Sequence, residues 1–343
     1  MRFSNILLIL DSHSGHSLAL RRAITLAKSE FATLTICDVV ERIPVSLHRS
    51  LTMVTPQEVM DSLVAERVKR IHTAIESSET KGIPIKVTVL VGKPHLEIAK
   101  QVVSNHHDLV IKSITGTKPN SVEKSDRELM RICPCPVWLV NDADQSKDQI
   151  ILAALDMPVD GGVSAGMNEH ILEAARSIAL ADFRRLHVVH AWYLVEESHM
   201  KARGGEAARL ELDRMQLGEA ARRMNWLEKT VIASKSESER IANEYLKPEL
   251  HVIKGQPETV IPSLAGELGA GLIVMGSAAR TGLSGVWLGN TSERILSRSD
   301  SSLLIVKMPP VAAGTPALKN AERTHHDFQG SMEQMRCVNG SRE

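Results

Sequence analysis

The sequence predicts an α/β fold of two tandem open, twisted, parallel sheets, and three observations predict it. One unit is written twice, its strands are near-continuous runs of Val, Ile and Leu, and helical patterns of ten or more residues separate them. Strands that alternate with such helices require βαβ crossovers, which buries both faces of each sheet. A chain of 343 residues is also longer than one core usually organises.

Taken in order, each copy opens with a short apolar run ending in aspartate, NILLILD (Asn5 to Asp11) and QIILAALD (Gln149 to Asp156). A helix of apolar spacing follows, LALRRAITLAKSEF in one copy and NEHILEAARSIALADF in the other, and then a second strand, ATLTICDVV or RLHVVHAWYLV. Long charged helices are expected over Pro56 to Thr80 and Gly205 to Glu237, amphipathic covers with Met and Trp on the core side. Third strands run into Gly-x-Pro turns, IKVTVLVGKP and LHVIKGQP. Fourth strands read HDLVIKS and AGLIVMGS, and a last helix leads to PVWLV or SLLIVKM. Pro134 and Pro136 assign PVWLV to a sheet edge or a strand start. The domains are therefore 1–142 and 149–308, joined by the polar seam NDADQSKD, with a C-terminal tail over 309–343 rich in Pro, Gly, His and charge.

Composition excludes several classes. Forty-one basic residues balance forty-one acidic ones at a pI near 7.3, which gives no global reason for a nucleic-acid or membrane partner. The N-terminal apolar run stops at Asp11 without a cleavage pattern or a spanning length, so the expectation is a cytoplasmic protein. Four cysteines make no disulfide framework, and Cys133-Pro134-Cys135 reads as small residues entering a strand before it reads as a redox or metal pair. Of fourteen histidines, the clusters His106-His107, His187 with His190, and His325-His326 invite a metal. On a strand, residues one or three apart point to opposite faces, so neither His106-His107 nor His187 with His190 is a ready chelate, and no metal site is expected. No nucleophile beside a base and no paired carboxylates emerge, so no catalytic residue is assigned.

Ligands of open parallel sheets bind beyond the carboxyl ends of strands where the strand order reverses. Asp156 stands at such an end, and so does the stretch LIVMGSAARTGLSGVWLGNTSERIL. There Gly276 lets the backbone come close to a ligand, while Gly289, Asn290, Thr291 and Ser292 open a helix whose free amides and dipole favour an anion. Capping by Asn290, Thr291 or Ser292 explains the same residues without a ligand. Arg280 and Arg294 flank the stretch, and His190 ends the strand beside Asp156, either lining the cleft or satisfied within the sheet. Neither a Gly-Lys-Ser/Thr loop nor a Gly-x-Gly-x-x-Gly turn is present.

The repeated strand-ending aspartate, the Gly-x-Pro turn, LIVMGS and RTGLSGVWLGNTSERIL together resemble the universal stress protein family, and two copies in one chain resemble its tandem type. The resemblance covers about Ser4 to Met308 and implies Rossmann-like domains and a role in stress resistance. In members that bind ATP, the pattern is Gly, two residues, Gly, nine residues, Gly and then Ser or Thr. Here Gly276, Ala279, Gly289 and Asn290 fall on those places, Thr291 follows, and Asp156 falls at the adenosine end. Ala279 replaces a glycine and Asn290 a hydroxyl residue, departures that weaken the match. The resemblance implies ATP or a related adenine nucleotide with its accompanying Mg2+, binding without dedicated catalysis, and slow hydrolysis at most. The first copy has Lys112 and Ser113 near the first glycine and lacks the Leu-Gly-Asn element, so its nucleotide site reads as lost. The copies then form an intramolecular pseudo-dimer, with pairing of two chains into a homodimer left open. The alternative is a scaffold that works through protein contacts and binds no nucleotide.

Overall fold

The computed structural model describes residues 3–10, 18–43, 55–114, 123–142, 149–158, 164–194, 197, 205–233, 236–277 and 290–308. The first half contains β1 (Asn5–Ile9), α1 (Leu18–Glu30), β2 (Thr33–Val40), α2 (Pro56–Glu76), β3 (Ile85–Val91), α3 (Pro94–Asn105), β4 (Leu109–Ile114), α4 (Lys124–Ile132) and β5 (Val137–Asn141). The second half repeats the order with β6 (Ile150–Ala154), α5 (Ser164–Asp182), β7 (Arg185–Trp192), α6 (Glu206–Ile232), α7 (Glu237–Leu246), β8 (Glu249–Lys254), α8 (Pro257–Leu268), β9 (Leu272–Gly276), α9 (Asn290–Arg298) and β10 (Ser302–Val306). Among the described residues, no helix is long and apolar enough to cross a membrane.

All ten strands form one sheet in the order β3-β2-β1-β4-β5-β10-β9-β6-β7-β8. Every pairing is parallel except β5 with β10, where Leu303 faces Leu139, Leu304 faces Trp138 and Ile305 faces Val137. A pseudo-twofold axis passes by Trp138 and Leu304, both buried. β5 is thus a central strand, not an edge. The expected edge exists only within its own half, and the second half covers it; Pro136 does precede the strand start. Helices α1, α2, α5 and α6 cover one face of the sheet and α3, α4, α8 and α9 the other, with a core on each side that runs across both halves.

Local chemistry sets the element ends. Thr55 accepts from the Glu58 amide at 3.2 Å while the Glu58 carboxylate accepts from the Thr55 amide at 2.7 Å, a capping box with Pro56 in the first turn of α2. That helix stops at Glu76, earlier than its charge pattern suggests. The single helix expected over Gly205 to Glu237 is instead two, because Ser236 caps a new helix by accepting from the Glu239 amide at 3.2 Å. Both Gly-x-Pro turns need their glycine. Gly92 and Gly255 sit at φ +150° and +148°, and a Cβ would lie 2.8 Å from Glu97 Cγ and 2.6 Å from Val260 Cγ2.

Polar contacts lock the halves together. Arg22 of α1 bonds Asp182 of α5 at 2.7 Å, and Arg184 reaches the same carboxylate oxygen at 2.9 Å. Burial lowers Arg22 to a pKa of about 10, with Arg184 adding to the effect. Lys307, buried just after β10, donates to the carbonyls of Met130 and Cys133 at 2.5 Å each and of Arg131 at 3.4 Å. Those carbonyls belong to the last turn of α4, where helix geometry leaves acceptors unpaired and a cation is favoured. Lys307→Met keeps the stem and removes the donors. It should lower unfolding free energy by about 3 kcal/mol, since buried carbonyls lose a charged partner; an unchanged midpoint in urea denaturation contradicts this role.

Candidate functional site

Strand order reverses between β1 and β4 in the first half and between β6 and β9 in the second, so each half has one place for a cleft. Register makes the two comparable residue by residue. Ile9 pairs with Cys37 and Lys112, and Ala154 pairs with Val189 and Met275. Lys112 therefore corresponds to Met275, Ser113 to Gly276, Asp38 to His190, and, along β5 and β10, Asp142 to Met308.

The second half brings Asp156 and Gly276 to the same end of adjacent strands. Asn168 in the first turns of α5 grips the Asp156 backbone. Its Oδ1 accepts from the Asp156 amide at 3.1 Å and its Nδ2 donates to the Asp156 carbonyl at 2.6 Å, which leaves the carboxylate exposed. His190 is buried and committed on both sides. Its Nδ1 donates to the Leu155 carbonyl at 3.1 Å, so Nε2 is the acceptor for Arg223 Nη1 at 3.0 Å. The ring meets Trp226 edge-on at 5.1 Å, and Arg223 lies 5.1 Å over the ring of Trp192. His190 is thus satisfied within the sheet and positions the backbone under Asp156. Burial chiefly, with the Arg223 charge adding, lowers its pKa, against the Leu155 bond and Asp156.

Gly276 has a packing reason of its own. A Cβ there would lie 2.6 Å from Met167 Cγ and 2.8 Å from its sulfur, so glycine leaves room for the Met167 side chain of α5 against β9. Asn290 begins α9, Thr291 is half-buried, and Ser292 is buried, its hydroxyl without a hydrogen-bond partner among the described residues. Ala279, Arg280 and Gly289 lie outside the described residues, as do Asp11, His325, His326 and Cys337. Arg294 does not face the cleft as a free cation. It bonds Glu258 of α8 at 2.9 Å.

The equivalent place in the first half is filled from within. Asp142 accepts from the Leu18 amide at the start of α1 at 2.9 Å and from the Ser113 hydroxyl. Lys112, which stands near the place of the first glycine, bonds Asp126 at 2.9 Å, and both are buried. The first half carries its own carboxylate where a helix N-terminus and Ser113 meet, whereas the second has Met308 and Gly276 at those places.

Of the other clusters, Cys133 and Cys135 are buried free thiols 3.6 Å apart. His106 ends α3 in a left-handed conformation, and His107 is buried. His187 and His190 do diverge, but His187 meets His251 across the strand pair, with nitrogens 3.0 Å apart and Glu249 nearby. Alternation within β8 puts Glu249 and His251 on one face; only the β7 to β8 register adds His187 to them.

Residues 2–141 and 151–307 each match the profile of the Universal stress protein family. The chain is 28% identical over 321 residues to Universal stress protein E of Escherichia coli (strain K12), covering 89% of this chain and 94% of that protein. It is 24% identical to the Universal stress protein E homolog of Haemophilus influenzae, over 90% of this chain and 98% of that one. Among solved structures, a universal stress protein from Pseudomonas aeruginosa UCBPP-PA14 has the same fold. Its TM-score is 0.58 at 24% identity, over 90% of this chain and 94% of that one.

The lowered pKa of His190 has a thermodynamic consequence. The folded protein binds fewer protons than the unfolded chain between the lowered value and about 6.5, so this stability is present above pH 6.5 and lost as pH falls through the folded value. Unfolding free energy should fall between pH 7 and pH 5, and His190→Gln should flatten that slope. Equal slopes in denaturant titrations of both proteins would contradict the buried neutral ring.

Proposed function

The chain belongs to the universal stress protein family in its tandem form, and we propose that its second half binds an adenine nucleotide as the input of a stress-response module. In this reading ATP, or a relative accompanied by Mg2+, changes how the protein associates with others, and no catalytic step is needed. The adenosine lies toward Asp156, whose backbone is held by Asn168 while its carboxylate stays exposed. The phosphates lie toward Gly276 and the start of α9 at Asn290 and Thr291, where a helix N-terminus stabilises negative charge, and the family pattern adds Ala279 and Gly289 to that set.

One observation carries the proposal: at equivalent places the first half supplies its own carboxylate and a buried ion pair, while the second keeps a glycine and the unpartnered hydroxyl of Ser292. A buried hydroxyl without a partner costs free energy that a phosphate oxygen would recover. The buried free thiols suit a reducing, cytoplasmic setting. A second reading, a scaffold without nucleotide, draws on Phe31 and Phe183. They are 85% and 79% exposed at corresponding helix ends and both hold positive φ, an uncommon expense for a large apolar residue.

Calorimetric titration of the full chain with ATP, ADP and AMP in the presence of Mg2+ tests the proposal. Saturable binding is expected, reduced at least about 100-fold in Gly289→Val because an oriented anion site tolerates no side chain in the phosphate path. Equal affinity in the variant would overturn this phosphate site, and no binding at millimolar ligand would favour the scaffold.

A further inference from the structure

We propose that His187, His251 and Glu249 form a binding site for a divalent first-row transition ion of the Zn2+ type, on the outer edge of the sheet and separate from the nucleotide cleft. The site is made by register. His187 of β7 lies opposite Glu249 at the start of β8, and His251 lies two residues farther along the same face. β8 is the last strand of the sheet, so one flank of the cluster is open to solvent.

Each of the three side chains offers one ligand atom, and these atoms lie within 4.8 Å of one another. The two imidazoles are nearly parallel, tilted by 9°, with nitrogens 3.0 Å apart but centroids 5.3 Å apart. Rings so placed do not overlap face to face; they meet edge to edge through one N–H···N bond. That separation is less than twice a Zn–N bond of about 2.0–2.1 Å, so an ion bound by both nitrogens sits beside the line joining them. Coordination needs a tautomer shift in one neutral ring and no net loss of a proton. The Glu249 side chain is 62% exposed and is free to swing onto the ion, with water as a fourth ligand.

Two observations argue that these residues are more than packing. His187 is 2% exposed, yet among the described residues its Nε2 has no hydrogen-bond partner, so that nitrogen is open to take the ring proton when Nδ1 turns its lone pair to an ion; the Glu249 oxygen toward which it would point is 3.8 Å away. The first half also builds the same strand pair without them. By register, Thr35 corresponds to His187, Lys86 to Glu249 and Thr88 to His251, so the fold asks for neither histidine nor glutamate there. Two imidazoles and one carboxylate suit Zn2+ or its neighbours over Mg2+ or Ca2+, which prefer oxygen.

The test uses the full chain without an affinity tag, stripped with EDTA and titrated with Zn2+ against a chromophoric chelator. His251→Thr, which copies the first half at an edge position, should lose one equivalent of bound Zn2+. Glu249→Gln, exposed and harmless to folding, should weaken that equivalent by about 10- to 100-fold. Zinc bound elsewhere in the chain would persist in both variants and does not blur the difference. Wild-type stoichiometry and affinity in both variants, or no zinc binding by the wild type, would overturn the proposal.

Discussion

The antiparallel ladder between β5 and β10 is the constraint on which the rest of the molecule depends. Each half ends its sheet with a strand of almost wholly buried residues, VWLV or SLLIV, whose unpaired edge would otherwise face water. Joining the two edges around Trp138 and Leu304 removes both at once and extends each core across the axis. The same ladder fixes what meets beyond it. Lys307 and Asn141 hold equivalent places, and each reaches into the opposite half. Lys307 caps the end of α4, while Asn141 donates from Nδ2 to the Asp300 carbonyl at 2.7 Å and from its amide to Ser302 Oγ at 3.1 Å. On the face that α1 and α5 cover, Arg22 and Arg184 share Asp182, and on the face that α4 and α9 cover, Arg131 pairs with Glu293.

A shared backbone leaves the differences to side chains, and these separate the halves by chemistry. At the strand ends, Asp38 takes Arg70 at 2.5 Å where its counterpart His190 takes Arg223, so in both halves an arginine from the long helix steadies the second strand. At the first-half cleft, Asp142, Ser113, Lys112 and Asp126 satisfy one another, and an incoming phosphate would have to displace a carboxylate already bound to the α1 amide. In the second half Gly276 and Met308 offer no such competitor. On the outer edge the asymmetry is equally local, with His187, Glu249 and His251 replacing Thr35, Lys86 and Thr88. The chain holds two copies of one scaffold, and the polar residues at strand ends and edges set them apart.

Much of this was legible in the sequence because it rests on local pattern. The strands, the helices between them and the Gly-x-Pro turns follow from periodicity and from turn chemistry, and Gly92 and Gly255 adopt the positive φ that only glycine accepts readily. What the sequence concealed was long-range. Pro136 marks a strand start, yet nothing local says that β5 will pair with a strand more than 160 residues away. Ser236 was readable as a cap, but the charge of α6 runs on past Ile232 and hid the break. The sequence sets Lys112 near the first glycine's place but does not show Asp126 beside it, and the His187 cluster needed the register of β7 on β8. Gly276 was read for ligand approach; its contact with Met167 supplies a packing reason that no motif states.

The central claim is that two halves of one design are unequal, the first closed by its own charges and the second open to an adenine nucleotide. Photoaffinity labelling of the full chain with 8-azido-ATP and Mg2+, followed by peptide mapping, tests it most directly. The account predicts label within 149–308 that excess ATP suppresses, and none within 1–142. Suppressible label in the first half, or equal label in both, would contradict it.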